Sequence, residues 1–108
     1  MDSTKKNPNL AKPTIHLNGD SAENLYEGFL NAYHAMTAAI TTLENMHPNG
    51  RNFYPQGDDA LTLAVQQNLD RIRTAQTIRD DVLALAEHCR DVIEEKAKRR
   101  REYEQAHV

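Results

Sequence analysis

From Asp58 to Val108 the chain contains neither Gly nor Pro. Over the same stretch apolar residues recur at Leu61, Val65, Leu69, Ile72, Ala75, Ile78, Val82, Leu85, Ala86, Cys89, Val92 and Ile93, in steps that keep one helical face apolar. This predicts one unbroken helix, helix B, over about 58–105. At 1.5 Å per residue it is roughly 70 Å long. The rest of the 108 residues must be arranged along that rod.

A second periodic segment precedes it. Leu25, Phe29, Ala32, Met36, Ala39, Leu43 and Met46 follow one another in steps of 4, 3, 4, 3, 4, 3, a heptad seam, widened by Tyr26, Leu30, Tyr33 and Ile40. Helix A is predicted over about 20–47. It opens at Asp20 or Ser21, with Asp20 and Glu23 at capping-box spacing. It closes before Pro48, which disfavours helical geometry at the preceding residue. The expected fold is all-α: a long antiparallel hairpin of a shorter helix A and a much longer helix B, in one domain spanning 14–108. Residues 1–13, polar and interrupted by Pro8 and Pro13, read as a mobile arm. Thr14-Ile15-His16-Leu17 reads as an edge strand or extended latch, with Ile15 and Leu17 on one side if it is extended.

Two features predict a homo-oligomer, a dimer or higher. Between Gly28 and Leu43 helix A carries no charged residue. A surface helix shows a charged outer face; this one offers Asn31, His34, Thr37, Thr41 and Thr42. In addition, helix A folded back from the loop reaches only to about residue 85. Ala86, Cys89, Val92 and Ile93 then need the latch or another subunit. The expected assembly is a bundle of helices from several copies.

Charge and cysteine content exclude several classes. The net charge is −3, and residues 21–93 hold ten acids against five Arg. No broad basic surface exists for a duplex, which argues against a nucleic-acid partner. The basic cluster Lys96, Lys98, Arg99, Arg100 and Arg101 is nearly cancelled by Glu94, Glu95, Glu102 and Glu104 and reads as a solvated helix end. The single cysteine, Cys89, permits no intramolecular disulfide and fits a reducing, cytoplasmic setting. No leader-like or membrane-spanning apolar stretch is present, so no membrane partner is expected. Glu44-x-x-His47 is half of a di-metal carboxylate motif without its second half. His16, His34, His88 and His107 have no ligand spacing, so neither a metal nor a cofactor is expected. Cys89 and His88, adjacent in a helix, point about 100° apart. No acid–base or nucleophile–base pattern argues for an enzyme.

The candidate site is the connection, HPNGRNFYPQG. Helix–helix connections need about two to eight residues; this one is longer and ordered by design. Asn49-Gly50 is a turn dipeptide and Tyr54-Pro55-Gln56-Gly57 has a turn's Pro and Gly. Pro55 is expected to hold Tyr54 extended between the two turns. Arg51, Asn52 and Tyr54, with free backbone amides, suit a small nucleotide-like anion: the guanidinium forks onto phosphate and an aromatic ring stacks on a base. Arg71 and Arg79, within QQNLDRIRTAQTIRDD, are further candidates, from the same or a neighbouring subunit, together with Gln67, Thr74 and Tyr26, Tyr33 or His34. The competing reading is that Phe53 and Tyr54 plug the end of the bundle, with Pro55, while Arg51 caps helix A or pairs with Asp58 or Asp59. Asn68 and Arg79 would then be polar residues in the seam that set its register.

IHLNG before helix A and PNGRNFYPQG between the helices resemble a group of small phage and prophage proteins. Those carry an HLNG entry and a PNGRDYYPQG-like loop flanked by helices. The resemblance covers roughly residues 15–90. This chain departs from that pattern at Asn52 and Phe53, where the group has an acid and a tyrosine. The resemblance implies a phage context, and a protein that acts by binding. Three roles follow: an oligomeric sponge for a nucleotide signal of host defence, a module that inhibits a host protein, or an assembly factor whose loop is only a plug.

Overall fold

The computed structural model describes residues 7–107. Two helices, α1 (Ala22–Asn45) and α2 (Asp58–Ala106), run antiparallel and are joined by two 3₁₀ turns, Gly50–Asn52 and Tyr54–Gln56. No strand occurs among the described residues. The chain is a rod, with extents of 77 × 30 × 24 Å. Residues 1–6 of the predicted arm lie outside the described residues.

Ser21, and not Asp20, caps α1: its hydroxyl accepts a hydrogen bond from the Asn24 amide at 3.1 Å, which satisfies one of the free donors of the first turn. At the other end the Met46 amide donates to the carbonyls of Thr42 and Leu43, and Pro48 prevents a further turn. The buried face of α1 is rotated from the expected seam. Ala22 and Ile40 are buried and Tyr26, Phe29, Tyr33, Met36 and Leu43 half-buried, while Ala39 and Met46 are exposed. Ile40 and Tyr33 carry far more apolar area than Ala39, so turning that flank inward removes more of it from water.

α1 also reaches farther along α2 than its length suggests. The buried Asn68 amide lies 3.4 Å from the Leu43 carbonyl, and Glu23 stands 3.9 Å from Lys96. This register brings the start of α1 level with Cys89, and Ala22, Ala86 and Cys89 are all buried within one chain. No second subunit is needed for Ala86 or Cys89. The reason is the loop, which folds back over the first turns of α2: Gly50 sits 3.6 Å from the Leu61 side chain, measured from an added Cβ. α1 therefore begins its pairing near Asn68 rather than near Asp58.

The N-terminal segment forms a latch but no strand. Leu10, Pro13 and Ile15 are partly buried, and His88 Nε2 lies 2.8 Å from the Pro13 carbonyl. Leu17 is fully exposed, because the chain turns at once there: the Gly19 amide donates to the His16 carbonyl and the Asn18 amide approaches His16 Nδ1. A strand also has no sheet edge to pair with in this fold. The latch packs on α2 near His88, where residues 81–85 are all partly covered. One antiparallel helix alone does not shield every side of α2 there. Beyond Ile93, residues 94–107 are exposed on all sides. Their ion pairs, Arg90–Glu94 and Arg99–Glu95, lie at the surface and contribute little.

Two polar residues are buried in α2. One is Asn68. The other is Asp80, whose Oδ1 accepts from Arg79 Nε at 3.2 Å and Nη2 at 3.1 Å. Removing one member of such a pair strands the other. Arg79→Ala is expected to cost about 3 kcal/mol and Asn68→Ala about 1–2 kcal/mol. Thermal unfolding followed by circular dichroism checks both; an Arg79→Ala variant as stable as the parent contradicts the pairing.

Candidate functional site

The connection is built from its own hydrogen bonds. Asn49 Oδ1 accepts from the Arg51 amide at 3.0 Å, and its carbonyl accepts from the Asn52 amide at 3.0 Å. The Phe53 amide donates to the Gly50 carbonyl, Gln56 to Phe53 and Gly57 to Tyr54. Gly57 has φ +103°, a conformation in which only glycine is unstrained, and it starts α2 at that angle. Tyr54 is helical and not extended: a single 3₁₀ turn accepts proline at its second residue, where no amide donor is required. The amides of Arg51, Asn52, Phe53, Gln56 and Gly57 are thus all engaged. The expected free backbone amides do not exist at these positions, and any recognition falls to side chains.

The loop's side chains divide between two clefts. On one side Arg51 and Tyr54 line an open cleft of about 530 Å³ with Gly50, Gly57, Asp58 and Leu61. On the other, Asn52 and Phe53 line a larger one of about 700 Å³, with Leu43, Met46, His47, Asn49, Gln67, Asn68 and Arg71 among its walls. Arg51, Asn52 and Tyr54 therefore do not converge on one ligand within a single chain. Tyr54 is 77% exposed and Pro55 is exposed, while Phe53 is half-buried. Of the aromatic pair only Phe53 packs into the end of the hairpin. Arg51 stays clear of both proposed partners: among the described residues it forms no ion pair with Asp58 or Asp59.

Arg71 does join the loop, in the larger cleft. Arg79 does not: it lies two turns farther along α2, about 12 Å at 1.5 Å per residue, and is held by Asp80. Gln67, a further candidate from the sequence, lies in the same wall, whereas Asn68, His47 and Asn49 are wall residues that spacing does not single out. The available signal was that Gln67 and Arg71 are four apart on one helix face, on the flank that also bears the loop.

The larger cleft is chemically distinct. Its walls carry one arginine, one histidine, Asn45, Asn49, Asn52, Gln67 and Asn68, and no carboxylate, over an apolar floor of Leu43, Phe53 and Ala64. The cleft beside Arg51 includes Asp58. A third, of about 410 Å³ on the opposite flank of the hairpin, sets Glu44 against Arg73. The amides of the larger cleft, with the Arg71 guanidinium that forms no ion pair among the described residues, supply hydrogen-bond donors of the kind that suit a compact anion with a flat, hydrogen-bonding body. No group of three or more His, Cys, Asp or Glu suited to a metal ion occurs among the described residues. Cys89 is wholly buried, and burial pushes its thiol above the ordinary range, which lowers its reactivity.

The plug and the cation make separable contributions. Phe53→Ala is expected to destabilise the fold by about 2 kcal/mol, and Arg51→Ala to change it by less than about 0.5 kcal/mol. Equal melting temperatures for the two variants contradict the packing role of Phe53.

No family model matches the chain, and neither the curated proteins nor the solved structures contain a match to it.

Proposed function

We propose that this chain is a binding protein and not an enzyme: a homo-oligomer that holds a small nucleotide-like anion in the cleft between the loop and α2. The observation that carries this reading is Arg71, which forms no ion pair among the described residues, in a cleft whose walls include no carboxylate. A guanidinium forms charge-assisted, forked hydrogen bonds to phosphate. The amides of Asn52 and Gln67 offer donors and acceptors to a base edge, and the Phe53 ring offers a stacking surface. Arg71 and Asn52, which share a cleft, hold the ligand in this reading, while Arg51 and Tyr54 line a separate cleft. In the phage setting that HLNG and PNGRNFYPQG suggest, the role is that of an accessory protein in the host cytoplasm that sequesters a nucleotide signal of host defence. No helix among the described residues is long and apolar enough to cross a membrane.

Native mass spectrometry of the full chain, with and without a panel of linear and cyclic nucleotides, tests this. The expected result is an oligomer that gains one discrete nucleotide mass per site. Arg71→Ala, a change at an exposed position, is expected to weaken that binding by about 10- to 100-fold, the loss of one or two hydrogen bonds to a charged group. Arg73→Ala, on the opposite flank, is expected to leave it unchanged. A bare oligomer across the panel overturns the ligand reading and directs the search to a host protein.

A further inference from the structure

We propose that two copies meet through one flank of α1, the flank carrying Gly28, Ala35, Ala39, Thr42 and Met46, so that α1 packs on the partner's α1 and two hairpins close a four-helix bundle. This rests on the oligomeric part of the reading above and not on the ligand.

The first argument is area. A compact monomer of 12.3 kDa presents about 6100 Å² of surface, whereas this chain presents 8545 Å². The excess is about 2400 Å², part of it from the extended N-terminal segment. The radius of gyration, 21.0 Å, compares with about 13 Å for a compact domain of this length. Inside, the buried apolar residues are mostly small: Ala22, Ile40, Ala75, Ala86 and Cys89. A core this thin leaves a single chain short of apolar burial. The flank between Asn24 and Met46 is about 35 Å long at 1.5 Å per residue. Two helix widths make it about 20 Å across, or roughly 700 Å². A standard interface removes about 800 Å² from each partner.

The second argument is pattern. Gly28, Ala32, Ala35, Ala39, Thr42 and Met46 follow in steps of 4, 3, 4, 3, 4, a second heptad about 100° around α1 from the one packed on α2. A helix in a square bundle touches two neighbours about 90° apart, and α1 has two such seams with only one occupied. All of the second seam except Ala32 is exposed in the single chain. Met46 is 70% exposed, and it shares the Arg71 cleft. Ile78, one heptad on from Arg71, is 47% exposed on that same flank of α2.

The third argument is chemical fit. No charge interrupts α1 from Gly28 to Leu43, so no charged group on that stretch must be desolvated. The Thr42 hydroxyl already donates to the Ala38 carbonyl at 3.0 Å, and burial leaves it satisfied. Gly28 stands in mid-helix with nothing within 4 Å of an added Cβ. Such a glycine costs helix stability of about 1 kcal/mol relative to Ala, and nothing inside the chain uses its small size. A second backbone approaching there does.

Ala35 lies at the centre of this seam, so in a two-fold contact it meets its own copy whether the two α1 helices run parallel or antiparallel. Sedimentation equilibrium of the full chain at about 1–100 µM is expected to show twice the chain mass. Ala35→Glu places two carboxylates at the axis and is expected to raise the dissociation constant at least 100-fold. Arg73→Glu, on the opposite flank, is expected to change it less than threefold. A wild type that stays monomeric throughout overturns the oligomer itself. A dimer indifferent to Ala35→Glu overturns this face alone. Should Ala35→Glu fail to fold, Ala35→Cys in a Cys89→Ala background decides: diamide oxidation is expected to give a disulfide-linked dimer, and a chain that remains monomeric on denaturing gels overturns the contact.

Discussion

A buried amide, Asn68, stands between the end of α1 and the first turns of α2, with its nitrogen directed at the Leu43 carbonyl. The register of the whole hairpin depends on this contact. With Leu43 opposite Asn68, the antiparallel run places Ile40 and Met36 beside the stretch from Ile72 to Ala75 and brings Ala22 level with Cys89. A shift by one heptad would keep apolar residues facing apolar residues, because both helices repeat every seven. It would leave the Asn68 amide buried without a partner, a penalty comparable to a lost hydrogen bond. An isolated polar residue in an apolar seam thus selects one alignment among several of similar hydrophobic content.

The loop and the core follow from that alignment. Because pairing starts at Asn68, the first ten residues of α2 have no α1 beside them. The two 3₁₀ turns fold over that gap and leave a cleft on each flank. Phe53 fills part of the space. The seam itself is lined by small residues at Ala22, Ala75, Ala86 and Cys89, which lets the helices approach closely but removes little apolar area per residue. Close approach and a thin core go together.

Much of the fold was legible in the residues. The absence of Gly and Pro after Gly57, and Pro48 at the other side, delimit both helices to within about two residues of their observed ends. The observed pairing of Glu95 with Arg99 follows from i,i+4 spacing. The site was less legible. Asn49-Gly50 and Tyr54–Gly57 are turns in sequence and structure alike, but the residues between them, which the pattern predicts as an extended bridge with free amides, are not extended. Turn carbonyls engage the amides of Asn52 and Phe53, and the Asn49 side chain engages that of Arg51. Arg51 and Asn52 are neighbours in sequence yet line opposite clefts, since successive residues of a tight turn point in different directions. Arg79 reads as a free cation in the sequence, and its neighbour Asp80 claims it only because burial makes an unpaired carboxylate costly.

By itself, then, the sequence determined the elements: two helices of very unequal length, an ordered connection and an α1 that carries no charge from Gly28 to Leu43. These are local properties, set by propensity, periodicity and breakers within a few residues of one another. Only the tertiary structure decided which flank of α1 faces α2, how far α1 reaches, and which side chains share a cleft. Those depend on the competition between Ile40 and Ala39 for burial, on the hydrogen bond sought by Asn68, and on a loop that returns over α2. Each of these sums interactions across residues distant in the chain, which periodicity along one segment cannot rank.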